Sequence, residues 1–194
     1  ANIPSVVDTD PEENLLLAGE SSVLRYGMIR DFNTWLGSLG ESAPVGTLTE
    51  LREWNLAHRE AGSMKYEQAR LDGADELELE ADRAAYEADR ARDLYLSGEH
   101  GIDEVMNNLE LDALFFPAWR GARIAARPGY PTVMVPFARA IQEYDPPLPE
   151  GFEPLPSPFG VGFTGMACSE PRLLELAYAF EQATRGRVPP PAFP

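Results

Sequence analysis

Phe159-Gly160-Val161-Gly162-Phe163-Thr164-Gly165-Met166-Ala167-Cys168-Ser169-Glu170 leads into Leu173-Leu174-Glu175-Leu176-Ala177-Tyr178-Ala179-Phe180-Glu181-Gln182-Ala183-Thr184 and then Arg187-Val188-Pro189-Pro190. The first stretch predicts a buried strand over residues 159–167, in which Gly160, Gly162 and Gly165 leave room for another backbone or a ligand. Ser169 stands where a helix N-cap belongs, and Pro171 falls in the first turn, where an N–H has no helical partner anyway. Leu173, Ala177, Phe180 and Thr184 recur at helical spacing and define an inward face. Pro189 and Pro190 then stop the helix.

Two more strands are expected earlier in the chain. Leu111-Asp112-Ala113-Leu114-Phe115-Phe116-Pro117 is a short apolar run ended by proline, and Pro131-Thr132-Val133-Met134-Val135-Pro136 is a β-branched run between prolines. Residues 143–158 hold six prolines and read as a linker or surface loop. Strands this apolar suggest burial on both faces. Three of them make a poor sheet alone, so more strands are expected than this chain supplies.

Before residue 110 the pattern is helical and charged. Leu24, Met28, Phe32, Trp35 and Leu39 form one predicted apolar stripe. Thr47-Leu48-Thr49-Glu50 fits a capping box. A long helix is expected over residues 75–96, with Leu77, Ala81, Ala84, Ala88, Ala91 and Tyr95 as its inner stripe, and another over 102–109. Asp10-Pro11-Glu12-Glu13 reads as a weaker helix start. The fold class that follows is α/β: a helical layer over about residues 10–109, then short strands of a mixed sheet and a final helix. The chain reads as a single partial domain, mainly helical over 1–109 and strand, loop and helix over 110–194.

With 194 residues, 44% of them hydrophobic and 25% charged, the chain can bury one substantial core. Its formal net charge is −16, from 32 acidic against 16 basic residues, and Lys65 is the only lysine. Such a surface repels phosphate backbones, so no nucleic acid partner is expected. No apolar run reaches the ~18 residues that span a bilayer, so no membrane partner is expected either. Ala1-Asn2-Ile3-Pro4 lacks the basic region and apolar core of a signal peptide and lacks Met, which suggests a processed or an engineered start. Cys168 is the only cysteine, which excludes an internal disulfide and fits a cytoplasmic location.

Taken in order, the segments resemble the amidase signature family. Met28-Ile29-Arg30-Asp31-Phe32-Asn33-Thr34-Trp35-Leu36 is similar to the family's helix Phe-x-x-x-Leu-x-x-Tyr-Leu. Val45-Gly46-Thr47-Leu48-Thr49-Glu50-Leu51 with Trp54-Asn55 is similar to Val-x-Ser-Leu-x-Glu-Leu-Ile-x-Phe-Asn. The run from Leu111 to Pro117 resembles Leu-Asp-Ala-Leu-Val-x-Pro, and Pro128-Gly129-Tyr130-Pro131-Thr132-Val133-Met134-Val135-Pro136 resembles Ala-Gly-Tyr-Pro-x-Ile-Thr-Val-Pro. With the closing strand, helix and prolines, these pieces cover roughly residues 24–190. The resemblance implies a serine hydrolase that cleaves amide C–N bonds of a small-molecule amide through an acyl-serine, with no cofactor. It also implies a Lys, a cis Ser and a nucleophilic Ser, the serines in a Gly-Gly-Ser-Ser-Gly-Gly-Ser type stretch. Those catalytic residues have no matching positions here. The chain is therefore expected to be the carboxy-terminal portion of such an enzyme, inactive by itself, with the missing amino-terminal portion as its partner.

Other reactive residues have plainer readings. Gly19-Glu20-Ser21-Ser22-Val23 lacks the shaping glycines and opens a helix, so Ser21 and Ser22 read as caps. Lys65 reads as solvated. Cys168 could pair with His58 or His100 as thiol and imidazole, but no orienting residue is evident and a structural Cys is the simpler reading. His58 suits the end of a helix. The acids at Asp10, Glu12 and Glu13, and at Glu76, Glu78 and Glu80, read as helix starts rather than metal ligands, so no metal is expected. Pro117-Ala118-Trp119 follows a strand end, where α/β pockets lie, and Phe116 and Trp119 are the candidate substrate-binding residues; the alternative is that both are core. Arg120, Arg123 and Arg127 either bind a carboxylate or are solvated. For the whole chain, the alternative is a non-catalytic acidic module. It would pair through its exposed sheet edge with a partner or with a second copy in self-association.

Overall fold

The computed structural model describes residues 2–140, 147–154 and 156–189. Residues 143–146 and 155 of the expected proline-rich loop, and Pro190 of the expected stop, lie outside the described residues. In chain order the elements are α1 (Pro4–Val7), α2 (Val23–Leu39), α3 (Leu48–Ala57), α4 (Ala69–Asp75), α5 (Arg83–Leu94), a π-helix (Tyr95–Asp103), α6 (Glu104–Asn108), β1 (Leu114–Pro117), α7 (Arg120–Ala126), β2 (Thr132–Ala140), β3 (Ser157–Thr164) and α8 (Glu170–Thr184). Short 3-10 turns occupy Gly40–Ser42 and Arg59–Ala61. The chain divides into two compact units, one of Ala1–Ala18 with Asp93–Pro194 and one of Gly19–Arg92. The change of composition near residue 110 thus lies inside the first of them.

In that first unit the three strands form a sheet of order β1-β3-β2, and both pairings are antiparallel. The period of two sorts the side chains. Leu114, Phe116, Gly162, Thr164, Thr132 and Met134 pair across the strands in register and so share one face. On that side Leu114 and Phe116 join Ile102, Val105, Met106, Ile124 and Ala125 in one core cluster. The alternate residues Val133, Val135, Val161 and Phe163 meet α8 in a second. The register shifts between Pro136 and Ala138, where proline cannot donate to the ladder.

α8 lies over the sheet as its spacing predicts. Leu173 is fully buried and Ala177 nearly so, and burial of such a leucine contributes roughly 1.5–3 kcal/mol. Phe180 is half-buried, meeting Phe163 edge-on and Phe115 and Phe137 at a tilt, while Thr184 is exposed beyond the edge of the contact. Ser169 holds the N-cap position, but its hydroxyl donates to the Met166 carbonyl at 2.7 Å instead of accepting from the helix. Gly165 permits this, since a Cβ there would lie 2.2 Å from Ser169 Oγ.

The Gly19–Arg92 unit corrects two expected stripes. On α2 the buried residues are Tyr26, Ile29 and Leu36, whereas Leu24, Met28, Trp35 and Leu39 are exposed and Phe32 is half-buried. Polar anchors turn the helix. Tyr26 donates to the Leu79 carbonyl at 2.7 Å and stacks on Tyr86 at 4.3 Å, and the Arg30 guanidinium lies over both rings. Ile29 packs with Leu48 and Ala74.

The expected helix over 75–96 begins only at Arg83, because residues 69–75 form α4 and turns follow. Its alanines Ala84, Ala88 and Ala91 are exposed, and the inward side is Tyr86 with Asp89. Asp89 Oδ2 accepts from Ser22 N at 2.7 Å and Ser22 Oγ at 2.6 Å. Ser22 does occupy the α2 N-cap, but a carboxylate from α5 caps the helix. The capping box at α3 holds in part: Thr47 Oγ1 accepts from Glu50 N at 3.1 Å, while Glu50 reaches Gly46 N at 2.6 Å, one residue before the cap.

Candidate functional site

The carboxyl end of β1 carries the candidate residues. Phe116 stands opposite Gly162 and Pro117 opposite Val161. Ala118 then donates its N–H to the Gly160 carbonyl at 2.8 Å and takes a left-handed backbone, φ 51°. That conformation is costly for a residue with a Cβ and ends the strand abruptly. It sends the chain into α7, with Trp119 at the N-cap.

The two aromatic candidates have different settings. Phe116 is half-buried in the first core cluster, its ring against Gly121 of α7. A Cβ on Gly121 would lie 2.2 Å from Phe116 Cδ2, so glycine lets α7 cross the ring. Trp119 is 63% exposed. The strand glycines are crowded by protein: a Cβ on Gly162 would meet Met134 Sδ at 3.1 Å and the Ala118 carbonyl at 3.5 Å, and one on Gly160 the Val135 carbonyl at 3.0 Å. Their role is close packing.

Of the three arginines nearby, Arg120 and Arg123 are exposed. Arg127 pairs with the buried carboxylate of Asp93. Tyr130 donates to Asp103 Oδ2 at 2.6 Å, and burial, reinforced by that carboxylate, pushes its hydroxyl up to about 12. The Tyr130 hydroxyl also packs beside Gly98 of the π-helix. Periodicity did not reveal these polar links, because each joins residues far apart in sequence.

The remaining reactive residues are placed as follows. Cys168 is exposed, with φ 60°, in the turn before α8. His58 caps α3, stacks on Trp54 at 4.0 Å and donates from Nδ1 to the Trp54 carbonyl at 2.8 Å. Lys65 is exposed beside the Tyr66 ring. Asp8 and Asp10 accept from backbone N–H groups two residues on, so residues 8–13 form turns instead of opening a helix. Among the described residues, no group of three or more His, Cys, Asp or Glu is placed to hold a metal ion. No helix among them is long and apolar enough to cross a membrane.

No protein-family model matches the chain. A probable amidase of Arabidopsis thaliana is 26% identical over 190 residues, which is 94% of this chain and 33% of the relative. The peptide amidase of Stenotrophomonas maltophilia has the same fold with a TM-score of 0.69 and 31% identity, over 87% of this chain and 34% of its own. An amidase family protein of Bacillus anthracis matches in fold with a TM-score of 0.69 at 20% identity, over 94% of this chain and 32% of its own. The chain thus spans about a third of the length of these relatives. In sequence and fold the chain is similar to about a third of these amidases, in keeping with the resemblance of its segments to the amidase signature family.

Proposed function

We propose that this chain serves amide C–N bond hydrolysis as part of an amidase-type serine hydrolase, and that it does not catalyse the reaction by itself. The observation that carries this reading is the match to a peptide amidase over 87% of the chain at 31% identity. The nucleophilic Ser, its cis Ser and Lys relay and the oxyanion amides would come from a preceding portion of the protein. The Ser would attack the amide carbon, the amine would leave with a proton, and water would release the acid from the acyl-serine. Trp119, exposed beside the strained Ala118, would line the substrate side, and Phe116 would back it from the core. The substrate is a small-molecule amide.

Two measurements test this. Purified as 194 residues, the chain should turn over no amide, and Ser21→Ala or Ser22→Ala should change nothing. Turnover that either substitution abolishes would refute the reading. The coding sequence before Ala1 should encode a Lys and a glycine-rich stretch of serines. If it encodes neither, the acidic module gains. That second reading rests on the sheet, where among the described residues β1 and β2 each pair on one side only, and on the net charge of −16.

A further inference from the structure

His100, in the π-helix, is held from several sides within the sheet-bearing unit. Its Nδ1 lies 2.7 Å from Glu104 Oε2 on α6. Its Nε2 is buried without an aligned hydrogen-bond partner, 3.5 Å from Asp8 Oδ2 and 3.9 Å from Glu13 Oε2. Tyr95 stacks on the imidazole at 5.6 Å and donates to that same Glu13 oxygen at 2.7 Å. Asp8 and Glu13 belong to the amino-terminal segment, whose Ile3, Val6 and Leu15 cover the core cluster of Ile102, Val105 and Leu114. We propose that His100 is a proton-operated clasp: as an imidazolium it holds residues 3–17 onto the π-helix, and as a neutral ring it releases them.

The charges support a closed state within a window of pH. Burial opposes the imidazolium, but Glu104, with Asp8 and Glu13, outweighs it and raises His100 above the usual histidine value. The Asp10 amide, together with His100, holds Asp8 below the usual carboxylate value. Glu99 adds negative charge beside Tyr95, and Asp103 is engaged by Tyr130. A raised histidine contributes its stability below the unfolded value and loses it as pH rises through the folded one. Deprotonation then leaves Asp8, Glu13 and Glu104 around a neutral ring. At the acid end the clasp fails as Asp8 takes up a proton.

The test is amide hydrogen exchange on the 194-residue chain, with rates corrected for their intrinsic pH dependence. The protection of Val6, Leu15 and Leu17, whose N–H groups bond within the segment, should fall several-fold between about pH 6 and pH 9. The amides of β3 should keep theirs. In His100→Gln the segment should be weakly protected throughout, with no such fall. If that variant does not fold, Glu13→Gln serves instead: the His100 imidazole, followed by NMR, should then titrate at lower pH. Segment protection that is independent of pH in the parent chain, an undiminished fall in His100→Gln, or an unmoved imidazole in Glu13→Gln would overturn the proposal.

Discussion

Gly121→Ala tests whether the contact between α7 and β1 is what positions Phe116. The new Cβ would lie 2.2 Å from Phe116 Cδ2, 2.7 Å from Cγ and 2.8 Å from Cε2. Carbon atoms pack at ~3.5–4.0 Å, so the ring must retreat by ~1.3 Å or more. It has little room to do so: Phe116 is in register with Gly162, and its cluster neighbours Leu114, Ile124 and Ala125 are buried. Overpacking of this kind costs roughly 1–3 kcal/mol. In a Phe116→Ala background the obstacle is gone. Alanine should then stabilise α7 by about 0.4–1 kcal/mol over glycine, through the unfolded chain's lost freedom. The same substitution therefore changes sign between the two backgrounds, with a coupling of roughly 1.5–4 kcal/mol. Urea unfolding of the four chains, followed by far-UV circular dichroism, measures it. Equal effects of Gly121→Ala in both backgrounds would refute the idea that Phe116 is the reason for the glycine.

Asp89→Ala removes both bonds to Ser22 and should destabilise the chain by about 1–2 kcal/mol in urea unfolding. Although burial opposes it, those bonds and Arg92 hold Asp89 below the ordinary carboxylate value. Its contribution is therefore present above the ordinary value and lost as pH falls through the depressed one, so the gap to the parent chain should narrow below about pH 4. Tyr130→Phe leaves Asp103 without its donor, beside an Oδ1 that is already buried without a partner, and should cost about 1–3 kcal/mol. Spectrophotometric titration should show one tyrosine that ionises at about 12 and is missing from that variant. Trp119→Ala should leave stability within about 0.5 kcal/mol, since the ring is 63% exposed. In an enzyme assembled with its catalytic portion, the same change should raise KM for the amide; unchanged kinetics would remove Trp119 from the substrate side.

Much of the fold was legible where local chemistry acts alone. The closing strand and helix, the proline-bounded strands and the Thr47 cap need only period, cap and stop signals, and the structure keeps each within a few residues. The apolar stripes were not so readable. Leu24, Met28, Trp35 and Leu39 share a face by spacing, yet α2 turns Tyr26, Ile29 and Leu36 inward because Tyr86 and the Leu79 carbonyl anchor Tyr26. Ala84, Ala88 and Ala91 likewise lost the inner face of α5 to Tyr86 and Asp89.

At the candidate site, the sequence by itself determined that aromatic residues flank the end of β1 and that glycines crowd β3. Only the tertiary structure decided which is core and which is open: Phe116 lies against Gly121, while the left-handed Ala118 sets Trp119 outside. It alone brought His100 to Asp8 and Glu13. The physical reason is range. Periodicity and capping act within one or two turns of chain, whereas the face a helix buries, and the charges a buried ring meets, are set by residues dozens of positions away.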